Sequence, residues 1–261
     1  MTYAWVALYS IRRHAAYPTS AIAEAVTNTV FGIVHASILI ALWKARPGLG
    51  GYDTTDAITF TFLAQALIAP IQVFGGLELT ERIRTGDVAI DLHRPVDLQS
   101  WWLADDLGRA GCHLLLRSTL PMAVAVVMFP IRWTGPTALG LALVSLLLAV
   151  LVSFGFRYVV ALCMFWLHDD RGLAAIALVT SMFFSGMILP LVVFPGWLGA
   201  IAQVLPWAGT MQIPIDVYLG KATGIGLLTA YGRQVGWAVA LFLLGRGLTV
   251  LAGRRLVING G

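Results

Sequence analysis

Charge is what this sequence has least of: Asp, Glu, Lys and Arg together make up 11% of 261 residues, and lysine occurs only at positions 44 and 221. No G-x-x-x-x-G-K-[ST] loop is present, so nothing here grips nucleotide phosphates and the chain does not hydrolyse ATP by itself. The five histidines form no H-E-x-x-H or other metal-ligand spacing, and His35 and His113 read as packing or lipid-interface residues. Cysteine is scarce as well. Cys112 and Cys163 lie far apart in apolar surroundings, where they suit small buried hydrophobes better than a disulfide or a metal site. No cleaved signal peptide is expected either, because apolar and aromatic residues precede Arg12-Arg13 instead of following them.

Two further shortages exclude two classes of function. A proton-coupled carrier needs carboxylates inside the membrane, yet only Glu24, near the start of the first apolar run, and Asp216, in a broken stretch, come close. Matched halves with interrupted helices, common in such carriers, are not visible either. The net charge of +4 comes from basic residues scattered singly along the chain, which argues for membrane topology and against a nucleic-acid partner.

What is abundant is apolar: 59% of the chain, against roughly 45–50% in soluble domains. About 20 apolar residues cross the ~30 Å hydrocarbon core as a helix. Such runs leave no room for a separate soluble domain, so the expectation is one all-α, polytopic membrane domain over residues 1–261. Six transmembrane helices are expected over 21–43, 57–74, 112–131, 137–166, 173–194 and 231–251, with Pro121 bending the third. Residues 1–18 carry Tyr3, Trp5, Tyr9, Tyr17, Arg12, Arg13 and His14, the pattern of a helix lying in the membrane interface. Pro190, Pro195, Gly196, Trp197, Pro206 and Trp207 break the chain before the last span, which suits a re-entrant outer segment of short helices.

Six crossings put both termini on one side. That side would hold Arg12, Arg13, Arg82, Arg84, Arg94, Arg109, Arg171, Arg254 and Arg255, against Lys44, Arg46, Arg132, Lys221 and Arg233 on the other, so the termini are expected to be cytoplasmic. Arg117, Arg157 and Arg246 fall in or near spans, where a central arginine costs about 2.5–3.5 kcal/mol on insertion scales. Arg117 and Arg246 are close enough to cytoplasmic ends to snorkel. For the deeper Arg157 two readings stay open: a structural pairing inside the bundle, or the lining of a polar transport route.

The densest charge lies in a polar island, residues 75–97. Glu78, Glu81, Arg82 and Thr85 recur at helical spacing, Gly86 interrupts and Pro95 marks a break, so a short helix is expected, although composition alone also allows an ordinary solvated loop.

The run Ile83-Arg84-Thr85-Gly86-Asp87-Val88-Ala89-Ile90-Asp91-Leu92-His93-Arg94-Pro95-Val96-Asp97 resembles the first cytoplasmic loop of bacterial type-2 ABC exporter permeases. Phe165-Trp166 with Asp169 and Gly172 resembles that family's second cytoplasmic turn. Ser185-Gly186, Pro190, Phe194-Pro195, Trp197-Leu198, Leu205-Pro206, Pro214 and Tyr218-Leu219-Gly220 are similar to its fifth span and outer segment, and the ending Arg254 to Gly261 is similar too. The resemblance implies a coupling helix within Glu78 to Asp97 that docks on an ATPase. Glu78, Glu81, Arg82, Arg84, Gly86, Asp87, Asp91 and Arg94 would form that interface, with Trp166, Asp169 and Asp170 beside it. It also implies a cargo route between two permeases, for which Phe31, Phe62, Gln65, Arg157, Met182 and Phe183 are the candidate lining. The implied partners are two ABC ATPase subunits, a second permease, identical or homologous, and membrane lipids. ATP and Mg would be bound by the ATPases and no cofactor by this chain. The expected function is export of an amphipathic or lipid-like compound, whether drug, antibiotic or lipid, across the bacterial inner membrane. The rival class is a membrane-embedded enzyme acting on a lipid or isoprenoid, for which a signature such as Asp-Gly-x-x-Ala-Arg is missing.

Overall fold

A computed structural model describes residues 2–167 and 171–259, and these form helices joined by turns, with no strand among them. Asp169 and Asp170 lie outside the described residues. The N-terminal segment is a helix, α1 (Thr2–Ala15), followed by α2 (Pro18–Ala45), whose first position holds Pro18 where no N–H is needed. A capping box, in which the Asp53 and Asp56 carboxylates each accept the other's backbone N–H, starts α3 (Thr54–Ile71). Two short helices, α4 (Glu78–Thr85) and α5 (Val88–His93), make up the polar island, hinged at Gly86, whose φ of 85° only glycine adopts without strain. Asp97 caps α6 (Leu98–Leu116), and α7 (Thr119–Met128) follows after a two-residue break. The long apolar α8 (Pro136–Leu162) and the C-terminal α12 (Ile225–Asn259) are separated by α9 (Arg171–Phe184), α10 (Gly196–Val204) and α11 (Gln212–Tyr218).

Among the described residues, five helical stretches are long and apolar enough to cross a membrane: Pro18–Ala45, Thr54–Ile71, Leu98–Met128, Pro136–Phe165 and Ile225–Arg254. Two expectations need correction. The third span starts well before residue 112, because Asp105, Asp106 and Arg109, which look water-facing in sequence, lie within α6. The span expected over 173–194 is only partly helical: the 14-residue α9, at 1.5 Å per residue, is shorter than the ~30 Å core, and the irregular chain beyond it brings Val192 against Gly50 at the end of the bundle opposite the polar island. Ser185-Gly186, with φ of 86° at the glycine, ends α9, and the chain runs on irregularly to Pro190.

Two prolines and a serine explain the break in the third span. Pro121 has no N–H for the Arg117 carbonyl, and α6 ends one turn earlier. Pro70, in the last turn of α3, likewise leaves the Ala66 carbonyl without its helical donor, and the Ser118 hydroxyl, freed at the α6–α7 break, donates to it at 2.5 Å.

Glycines set the closest helix approaches, as expected where small residues let backbones meet. A Cβ on Gly108 would lie 2.2 Å from the Ala7 carbonyl oxygen of α1, and one on Gly155 would meet Leu241 of α12 at 2.8 Å. Gln234 of α12 donates to the Ser145 and Gly209 carbonyls at 3.0 and 2.7 Å, tying α8 and the outer turn to the last helix. The largest core gathers Leu39, Trp43, Phe60, Ile71, Val150 and Met211 from α2, α3, α8 and the outer segment.

Candidate functional site

Charges concentrate at two ends of the bundle. At one end Asp53 and Asp56 meet Arg132 and Lys221, with Lys221 Nζ 2.6 Å from Asp56. At the other, α1, α4, α5, the start of α6 and the later part of α12 come together: Arg13 reaches Glu78 at 3.0 Å and Asp105 at 3.1 Å, and Arg246 reaches Asp97 at 2.6 Å.

The island at this end is a braced elbow. Leu79 of α4 and Val88 of α5 are buried among Trp102, Phe154, Tyr158 and Leu162, so apolar packing fixes the elbow to α6 and α8. The Asp91 carboxylate holds Arg82 from across Gly86, with one of the two hydrogen bonds at 3.0 Å, and is 3.4 Å from Arg94. The hydrogen bond to Asp91 raises the Arg82 pKa above its ordinary value, with partial desolvation opposing it. Acidic Glu78 and Glu81 in the first turn of α4 and basic Arg82 and Arg84 in the last complement its dipole. Glu78, Glu81, Arg84, Asp87 and Arg94 face outward, and Arg84 pairs with Glu81 at 2.7 Å.

Two findings revise the sequence-based interface. Asp91 is buried and braces the elbow through Arg82 and Arg94. Ile90, which the charge pattern hid, is 59% exposed beside those charges. Trp166 is also close: Phe165, its neighbour, packs against the same cluster as Leu79 and Val88.

Behind the elbow lies an ionic node that joins α3, α6 and α8. Asp106, only 2% exposed, accepts from Arg109 at 2.9 Å and from Arg157 at 2.7 and 3.1 Å. Arg109 donates onward to the Ala69 and Pro70 carbonyls at 2.7 and 2.9 Å, and Ser153 donates to the Ile71 carbonyl at 2.6 Å. The C-terminus of α3 leaves the Pro70 and Ile71 carbonyls without helical partners, while the Ala69 carbonyl also accepts from the Gln72 backbone N–H at 3.2 Å. Arg157 also donates to Ser153 at 3.2 Å and to Gln72 at 3.0 Å, and Gln72 in turn donates to the Gly76 carbonyl just ahead of α4. The chain of contacts therefore runs without interruption from the elbow to the middle of α8.

A family model described as "ABC-2 family transporter protein" matches residues 25–260. The chain belongs to the ABC-2 transporter family. Its members are transport subunits and not enzymes by themselves, and membership implies association with ABC ATPases. Family and apolar helices together make the chain a multi-pass membrane protein. No curated protein and no solved structure matches it.

Within this ABC-2 family chain the candidate route residues do not converge. Phe62 is fully buried against Phe129 and lies, with the neighbouring Gln65, beside Gly32. Phe31 points outward from α2, and Phe183 of α9 is half-exposed against Phe184 and Phe194. Met182 packs on the main core. Arg157 of the set is paired with Asp106, the structural reading of it, and it also lines a cavity. Sequence reasoning missed its partner Asp106 and also Arg109, which shares that carboxylate. The available signal was their i, i+3 spacing inside an otherwise apolar helical stretch.

Proposed function

We propose that this chain is the permease subunit of an ATP-driven exporter, and that the α4–Gly86–α5 elbow docks on a separate ATPase at the cytoplasmic face. The observation that carries the reading is the elbow's two-sidedness: outward charges over a base locked to α6 and α8, with the Asp106 node linking it to α3 and α8. Coupling requires an element that contacts the ATPase differently in its two states and passes the difference on. A braced elbow suits this better than a loose loop, which would absorb the movement. ATP and Mg2+ are bound by the two ATPase partners, and a second permease, identical or homologous, completes the conduit. Exposed Ile176 and Val179 on α9 are compatible with lipid or with that second subunit covering the helix. The cargo is an amphipathic or lipid-like compound, moved outward across the inner membrane with both termini cytoplasmic.

Charge reversal at the exposed Arg84 and Asp87 tests the reading. The double variant Arg84→Glu/Asp87→Arg is expected to cut cargo-stimulated ATPase activity of the assembled complex about tenfold or more, as loss of paired interface charges does. Full stimulation and full transport by that variant would overturn the docking assignment.

A further inference from the structure

A cavity of about 260 Å3 lies between α8 and α9, and its wall runs from Gly76 and Thr80 beside the elbow to Trp207 and Thr210 in the outer segment. The wall is mostly apolar, with Val152, Phe156 and Leu178 among its residues, and Arg157 is the one ionisable side chain on it among the described residues. The carboxylate that holds Arg157 is elsewhere: Asp106 and Arg109 line a second cavity, on the elbow side, while Arg157 lines only the first of the two.

Charge at the node does not cancel. Two guanidiniums share one carboxylate, and the α3 C-terminus adds about half a negative charge through Ala69 and Pro70, which leaves about half a positive charge. Of the five N–H donors of a guanidinium, Arg157 spends four on Ser153, Gln72 and Asp106, and one Nη2 N–H has no protein partner among the described residues. The Trp207 indole N–H, buried on the same wall, also lacks an acceptor among the described residues. Both unmatched groups are donors.

We propose that this cleft receives an anionic amphiphile, with a carboxylate or phosphate head at Arg157 and an apolar chain along Val152, Phe156 and Leu178. A cationic head would sit against an uncancelled positive charge in a low-dielectric wall and is disfavoured. The assignment of this occupant as cargo rests on the proposed transport function; the preference for an anionic head does not.

Photolabelling of the full-length chain in nanodiscs of zwitterionic phospholipid at pH 7.5 tests the proposal. Three diazirine-bearing probes of equal chain length carry a carboxylate, a primary alcohol or a trimethylammonium head. The carboxylate probe is expected to label peptides spanning 152–160 and 174–181 about tenfold more than the ammonium probe, the scale of one unshielded charge contact. Ser181→Asp, which adds a negative charge to the wall away from the node, is expected to abolish or reverse that ratio. Adding phosphatidylglycerol to the discs separates the sources: strong competition assigns the site to a bilayer lipid headgroup, and weak competition assigns it to a single-chain cargo. Equal labelling by all three heads, preference for the ammonium, or label confined to other peptides would overturn the proposal. No nucleotide enters the experiment, so its failure is distinct from a failure of ATPase docking.

Discussion

Asp106 is the residue on which most of the buried charge depends. Removing one member of a buried ion pair leaves an uncompensated charge and costs about 3–5 kcal/mol, and here two arginines would lose their carboxylate together. Asp106→Asn is therefore expected to lower the unfolding free energy by that amount in a denaturant titration of the detergent-solubilised protein. Adding Arg109→Met to it should recover a large part, because one orphaned cation goes as well. A loss under about 1 kcal/mol would mean that water already reaches the node. The Asp97–Arg246 pair at the end of α6 behaves differently, being largely exposed. Partial burial acts to raise the Asp97 pKa, but hydrogen bonds from Ser100 and the charge of Arg246 outweigh it and hold the carboxyl below its ordinary range. A depressed carboxylate contributes stability above its unfolded pKa and loses it as pH falls through the folded one. Arg246→Ala should thus cost less than about 1 kcal/mol at pH 7 and nothing in strong acid, by thermal melts at the two pH values.

At the scale of elements, helix contacts made through glycine are the weak points. Gly108 lets α1 lie on α6 with backbone against backbone, and a methyl group there meets the Ala7 carbonyl, which cannot move without the helix. Gly108→Ala is expected to lift α1, seen as faster amide hydrogen exchange over residues 2–15 while α8 and α12 stay protected. Gly111→Ala, three residues on and facing open space, should change nothing. The elbow makes a complementary case. Asp91→Ala removes the brace that spans Gly86, so α4 and α5 should exchange faster while their anchors Leu79 and Val88 remain buried. If the elbow transmits force as proposed, this variant also loosens ATPase stimulation without touching an outward-facing charge.

At the scale of the whole molecule, much of the architecture was legible because hydropathy and punctuation act locally. The apolar runs at α2, α3, α8 and α12, the hinge at Gly86 and the end of α5 before Pro95 all follow from neighbours within a few residues. The ionic node was not legible for the opposite reason. Asp105, Asp106 and Arg109 have the composition of a water-facing segment, and only Arg157, 51 residues beyond Asp106, turns them into an interior. The same limit applies to aromatic residues: Phe31 and Phe62 look alike in sequence while one faces outward and the other is sealed in the core. The central claim is that the elbow meets an ATPase, and crosslinking in intact cells tests it most directly. A photocrosslinking amino acid in place of Arg84 is expected to capture a protein bearing a G-x-x-x-x-G-K-[ST] loop, whereas the same residue in place of Lys221, at the other charged end, captures none. Capture of such a protein from position 221 but not from position 84 would contradict the account.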